Sequence, residues 1–169
     1  MSAELGSESL VERARQRVAS WLFLASGISH SMGRRHVEAE KMFRLALERH
    51  PGGEVARNLL GQGLEKQGRF EEAAAIYGEL VERDPSHENA YYHRACCLME
   101  LGRVAEAAED CRRAIALYPK HFAASVVLGQ ALDRQGSRAE AVAAFERAVA
   151  LKPRDKDAAR RLAQARRAP

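Results

Sequence analysis

The 169-residue sequence has few of the features that mark other protein classes. Aromatic residues make up only 6% of it, so a core built mainly of rings is excluded, and the 46% of hydrophobic residues leans heavily on alanine. Runs of β-branched residues are scarce and helix formers fill nearly every block, which argues for closely packed helices and against a sheet. The most hydrophobic run, residues 21–28, is broken by Ser26 and Gly27. It falls far short of the ~20 apolar residues that span a bilayer. Glu4, Glu8 and Glu12 followed by Arg13, Arg15 and Arg17 leave no apolar stretch for a signal peptide. These features predict a soluble, cytoplasmic protein without direct membrane insertion, which would reach a membrane complex only through a partner.

Reactive groups are equally sparse. Three cysteines, at 96, 97 and 111, form an odd set without a CxxC framework, and Cys97 and Cys111 read as small apolar core residues in a reducing compartment. There is no HExxH zinc signature and no GxxxxGK[ST] phosphate loop. The Gly61-Gln62-Gly63 sequence sits in a helical segment without the preceding strand that a dinucleotide loop requires. Four of the six histidines, His36, His50, His87 and His121, fall at turns, and no nucleophile–base–orienter set stands out. The expectation is a protein that is not an enzyme and carries no metal or cofactor. Net charge is +4, and residues 154–169 account for all of it with six Lys or Arg against two Asp. That tail has no aromatic residue to stack a base, which argues against nucleic acid as the main partner.

Against these absences stands one strong regularity. Prolines at 51, 85, 119 and 153 and glycines at 68, 102 and 136 recur every 34 residues. Glycine closes a helix by adopting a left-handed conformation, and proline stops the next helix because it has no donor. Between these marks, Ala73, Ala107 and Ala141 recur behind Glu72, Glu106 and Glu140, with Ala39 behind Glu38 in the first unit. Small residues at Gly61, Ala95 and Gly129 let paired helices approach, and larger ones such as Leu60, Leu64, Tyr77 and Leu80 fill the space around them. One such hairpin cannot bury its own apolar face, so successive hairpins must stack.

These residues resemble the tetratricopeptide repeat family, whose 34-residue unit has a small residue eighth, glycine fifteenth, alanine twentieth, an aromatic near 24 and proline at 32. The second unit shows this as Leu60-Gly61, Leu64, Gly68, Ala73, Tyr77 and Pro85, and the fourth as Leu128-Gly129, Leu132, Gly136, Ala141, Phe145, Ala148 and Pro153. The third departs at Arg94, where leucine is usual, and at Cys111, where an aromatic is usual. The resemblance implies an all-α fold, a right-handed tetratricopeptide-repeat (TPR) solenoid of about four helix-turn-helix repeats with flanking N- and C-terminal capping helices. The predicted organisation is a partly helical extension over residues 1–19 and repeats at 20–53, 54–87, 88–121 and 122–153. A basic capping helix and tail follow over residues 154–169. Leu10, Ala14, Val18 and Leu22 recur at helical spacing, Ser9 with Glu12 suggests a capping box, and Asp155 is placed to cap the last helix.

The resemblance further implies a protein-binding scaffold or chaperone-like adaptor. A peptide or amphipathic helix of a partner protein would lie along the first helices of the hairpins. Carried over residue by residue, the groove consists of Phe23, Leu24, Asn58, Gln62, Tyr92, His93, Cys96, Val126 and Gln130. The choice of Phe23 follows Gly33, which lies 35 residues before Gly68 and implies one extra residue in the first hairpin; in that register Trp21 and Ile28 turn inward. Counting back from Pro51 instead presents Trp21, Leu24 and Ile28. Some members of the family clamp the C-terminal carboxylate of chaperones with Lys, Asn and Arg. Asn58 matches that set, but Phe23, Gly27, Asn89 and His93 stand where most of the rest would be, so such a tail is not the expected guest. Two other readings remain open at this stage: a homo-oligomer formed end to end or as a dimer through the leading helix and Trp21, and weak nucleic-acid contact through the basic tail.

Overall fold

The structure, a computed structural model, describes residues 2–32 and 35–167, with side chains at Leu10 and from Glu12 onward. Among these residues the regular elements are helices. They are α1 (Ser2–Met32), α2 (His36–Arg49), α3 (Glu54–Lys66), α4 (Phe70–Arg83), α5 (Glu88–Glu100), α6 (Val104–Leu117), α7 (Phe122–Arg134), α8 (Arg138–Leu151) and α9 (Lys156–Arg167). No helix among the described residues is long and apolar enough to cross a membrane. The chain divides into two compact units, residues 1–69 with α1–α3 and residues 70–169 with α4–α9.

The punctuation works as its chemistry dictates. Gly68, Gly102 and Gly136 follow the first helices with φ of 73°, 74° and 76°. The amides just beyond them, of Arg69, Arg103 and Ser137, donate to the carbonyls of Leu64, Leu98 and Leu132 at 3.0, 2.8 and 2.9 Å, closing each helix with a Schellman turn. Ala39, Ala73, Ala107 and Ala141 are all buried.

In the first unit α1 packs on α2 and α2 on α3. The ring of Phe43 lies directly on Gly27, where an added Cβ would stand 2.5 Å from Phe43 Cε1. Gly129 and Phe145 repeat this contact in the second unit, again at 2.5 Å. Gly27 therefore stands in phase with Gly129, three periods of 34 residues away, and the helix ends agree: α1, α3, α5 and α7 finish at Met32, Lys66, Glu100 and Arg134. The first hairpin carries no extra residue. This corrects the register taken from Gly33, a residue that lies outside the described ones. The phase is set by packing of Gly27 against a ring, not by a glycine in the turn.

The leading segment also differs from expectation. α1 is continuous from Ser2, so Ser9 lies within the helix and not at its cap. Leu10, Val18 and Leu22 are exposed, and the side facing α2 carries Ser20 and Gly27, with Ser20 Oγ donating to the Ala46 carbonyl at 2.8 Å. Near the other end of the unit Glu40 accepts from Arg69 at 2.5 Å and from Arg44 at 2.9 Å. Burial pushes its carboxyl up, but hydrogen bonds from Arg69, Arg44 and Gln67 outweigh that and hold it below the usual range.

In the second unit the two departures of the third repeat have physical causes. Where Gly129 meets Phe145, the equivalent pair is Ala95 and Cys111, both buried in one cluster with Leu98, Ala107, Ala108 and Ala131. The Ala95 methyl occupies space that a ring would need, and the smaller thiol fits beside it. Burial pushes the Cys111 thiol well above its ordinary range. Arg94 reaches Asp110, with Nε and Nη2 each donating to a carboxylate oxygen at 2.7 Å. The Asp110 hydrogen bond raises the guanidinium further, against the opposing effect of burial. At the C-terminal end Asp155 Oδ1 accepts from the Ala158 amide at 2.8 Å, the expected cap. α9 runs beyond Gln164 to Arg167, with Ala158 and Ala165 buried and Leu162 packed on the cluster of Leu132 and Phe145.

Asp110 is only 5% exposed, so leaving its carboxylate without Arg94 is costly, whereas replacing both partners is not. Arg94→Leu is expected to lower unfolding free energy by about 3 kcal/mol in urea titration, and Arg94→Leu with Asp110→Ala to recover most of the loss.

Candidate functional site

The corrected phase aligns three series of residues along the first helices. Leu24, Asn58, Tyr92 and Val126 occupy one equivalent position, Ile28, Gln62, Cys96 and Gln130 a second, and Trp21, Val55, Asn89 and Ala123 a third. No member is charged, although charged residues make up 30% of the chain. The first series is half-buried throughout, and so are Gln62, Cys96 and Gln130. These side chains are neither sealed in the core nor free in solvent.

In the first unit the structure keeps Leu24, Asn58 and Gln62 in these series and moves Phe23 out of them. Phe23 is half-buried at the position equivalent to Arg57 and Ser125, both of which are buried. Trp21 and Ile28, expected to turn inward, are instead exposed, Trp21 at 72%. Trp21, Leu24 and Val55 border a cleft of about 420 Å³ whose far side is His50 and the Gly52-Gly53 turn. Asn58 Oδ1 is buried without a hydrogen-bond donor among the described residues.

In the second unit Tyr92, His93, Cys96, Val126 and Gln130 are all half-buried. Gln130, expected as a groove amide, is engaged by the last helix. With its amide oxygen turned toward α9, it accepts from Arg161 at 2.5 and 2.9 Å. Three basic side chains of α9 are likewise held locally, Arg160 and Arg161 on Asp157 and Arg166 on Glu146.

Tyr92 and His93 belong to a run of rings. Tyr77 stacks on His93 at 5.2 Å between centroids and 13° between planes. Tyr92 lies 5.1 Å from His93 and 5.1 Å from His121, and Tyr118 adds an edge contact to His121 at 6.1 Å. His121 anchors this run to α7 as its N-cap, with Nδ1 accepting from the Ala124 amide at 3.2 Å, and His87 caps α5 in the same way through Ala90. A histidine accepting through Nδ1 must be unprotonated there. Burial lowers the His121 pKa, the neighbouring His93 lowers it further, and Glu88 opposes both. The sequence signal was the recurrence of histidine just before the first helix at 87 and 121, where Ser, Thr, Asn or Asp is the usual cap.

Comparison with known proteins identifies the family. Family models described as tetratricopeptide repeat match residues 58–122 and 98–166, and the chain belongs to the tetratricopeptide repeat superfamily. No curated protein matches it by sequence. Among solved structures it is similar to MamA, with a TM-score of 0.83 at 21% identity over 87% of this chain and 80% of that one. It is also similar to YrrB, described as a TPR protein with an unusual peptide-binding site, with a TM-score of 0.77 at 21% identity over 84% and 73%. A third likeness is to the first TPR of Spaghetti (RPAP3) bound to the HSP90 peptide SRMEEVD, with a TM-score of 0.65 at 26% identity over 67% and 90%.

The His121 cap makes stability depend on pH in a definite direction. Because the folded-state pKa lies below the unfolded value of 6.5, the unfolded chain binds more protons in that interval. The His121 contribution is complete above pH 6.5 and is lost as pH falls toward the lowered folded value. Thermal melts at descending pH are expected to show this loss in the native chain. His121→Asn, which keeps a capping oxygen without titrating, is expected to flatten the profile.

Proposed function

We propose that this chain is a protein-binding scaffold that holds a segment of a partner protein against the uncharged series on its first helices. The observation that carries this reading is the absence of charge at twelve equivalent positions, with the central series Leu24, Asn58, Tyr92 and Val126 half-buried throughout. Apolar members provide area, and the amides of Asn58 and Gln62 carry both donors and acceptors that suit a peptide backbone. Tyr92 is the expected anchor, because a ring in contact with both His93 and His121 loses little freedom on binding. Peptide binding by structural neighbours, stated for YrrB and seen for RPAP3, supports the same class of function.

The guest this chemistry suits is a moderately hydrophobic strand or an amphipathic helix. An acidic chaperone tail of the kind bound by RPAP3 fits poorly. In the corrected phase Leu24 and Ile28 take the places first given to Phe23 and Gly27, and they too bring no positive charge. Asn89 and His93 complete a set without a lysine or arginine.

Peptides selected on the immobilised chain from a random library provide the test. Calorimetric titration is expected to show affinity falling about 10- to 100-fold for the Asn58→Ala, Tyr92→Ala double variant, with helicity retained. SRMEEVD is expected to bind no better than a scrambled peptide. Equal affinity of native and doubly substituted chains would remove the assignment.

A further inference from the structure

The turn that starts α7 carries a titratable ring in contact with the proposed guest site. His121 is only 8% exposed and is fixed from several sides. Its Nδ1 accepts from the Ala124 amide at 3.2 Å, its own amide donates to the Tyr118 carbonyl at 3.0 Å, and its carbonyl accepts from Ser125 Oγ at 3.1 Å. Nδ1 accepts only when it carries no proton, so the neutral ring bears its proton on Nε2. That Nε2 is buried and has no acceptor among the described residues. The ring lies 5.1 Å from that of Tyr92, and Val126 follows it by about a turn and a half of α7. Two members of the central series thus depend on one neutral imidazole.

We propose, resting on the guest site described above, that its part in the second unit is an acid-sensitive switch: it holds a guest while His121 is neutral and releases it when His121 takes up a proton. A proton on Nδ1 faces the Ala124 N–H, donor against donor, and removes the acceptor that caps the first turn of α7. It also sets a positive charge at the positive end of that helix. The Nε2 proton brings no compensation, since it has no acceptor where it lies. To be charged, the ring must turn out of its buried place toward water. Tyr92 then loses the ring it rests against, and the turns of α7 that lead to Val126 lose their cap.

The groups around His121 come from three helices. On α5, Glu88 favours a proton on the ring, and His93, stacked on Tyr77, disfavours it. Tyr118, just past α6, makes an edge contact. From α8, Arg147 donates to the Pro119 carbonyl at 2.6 Å and Lys152 lies 4.3 Å from the centre of the Phe122 ring. With Lys120 next to His121 in the chain, the turn is bordered by positive charge. Burial has the largest influence on the ring and, together with His93, outweighs Glu88, so the neutral form persists below the ordinary range. A guest lying on Tyr92 holds that tyrosine against the imidazole and opposes its turning out. The His121 pKa is therefore lower in the complex than in the free chain. Affinity is full above the free chain's pKa, which lies below 6.5, and falls as pH drops through it toward that of the complex.

A peptide selected at neutral pH from a library without Asp, Glu or His, with both termini blocked, probes the switch without titrating itself. Between about pH 7.5 and about pH 4.5, fluorescence anisotropy is expected to show its affinity for the native chain falling about three- to tenfold more than its affinity for His121→Asn, which keeps a capping oxygen. His87→Asn, which alters the equivalent cap of α5, is expected to keep the native slope. The His121 imidazole, followed by proton NMR in the native chain, is expected to titrate at lower pH with peptide bound than without it, a readout that needs no variant to fold. An equal or higher pKa in the complex, the same slope in the native and His121→Asn chains, or a slope that disappears with His87 instead would overturn the switch. Binding that needs Tyr92 at neutral pH but has no slope due to His121 overturns the switch alone. Binding at neutral pH that is unaffected by Tyr92→Ala removes the guest site and the switch with it.

Discussion

The contact on which the rest of this structure depends is the seating of a second-helix side chain on a small residue of the first helix. Phe43 on Gly27 and Phe145 on Gly129 show it in its tightest form, with no room for even a β-carbon on the glycine. This approach fixes the rotation of α1, α5 and α7, and with it the direction of every other side chain that those helices carry. It also explains a substitution that looks irregular in isolation. Where the small residue is Ala95 the ring is replaced by Cys111, because the two positions share one volume. The third repeat then adds the Arg94–Asp110 pair beside this smaller filling, where the second and fourth repeats have Leu60 with Ile76 and Leu128 with Ala144.

With one side of α1, α5 and α7 committed to that contact, the uncharged series takes another side. The uncharged series through Leu24, Asn58, Tyr92 and Val126 is a direct product of the phase that the small residues set. Within the second unit, the rings of Tyr77, His93, Tyr92, His121 and Tyr118 form a continuous run that includes the cap of α7. Tyr92 is thereby in contact with a capping residue far along the sequence, His121 at the start of α7. The last helix closes this unit from the other end by holding Gln130 through Arg161.

Much of this was legible in the sequence because glycine and proline act locally. Gly68, Gly102 and Gly136 had to end helices wherever the rest of the chain went, and the helix ends fall where their spacing predicts. The first hairpin was misread for a reason equally physical: Gly33 looked like its counterpart, but the phase is set by Gly27 beneath Phe43, a contact between distant residues that no local rule contains. The same limit applied to Leu10, Val18 and Leu22. Periodicity showed that they share a side of α1 but not whether anything covers it, and they are exposed. The ring run was hidden because histidine is an uncommon cap and its partners come from three helices. The contact residues of the proposed guest site could be named only through family resemblance, since a surface that awaits a partner has no contact of its own to leave a pattern.

The account's central claim is that guests engage the first helices and leave the second helices free. Hydrogen–deuterium exchange of the whole chain, alone and saturated with a selected peptide, tests it most directly. New protection is predicted in α3, α5 and α7, strongest around Asn58, Tyr92 and Val126. Protection confined to α2, α4, α6 and α8 would contradict it.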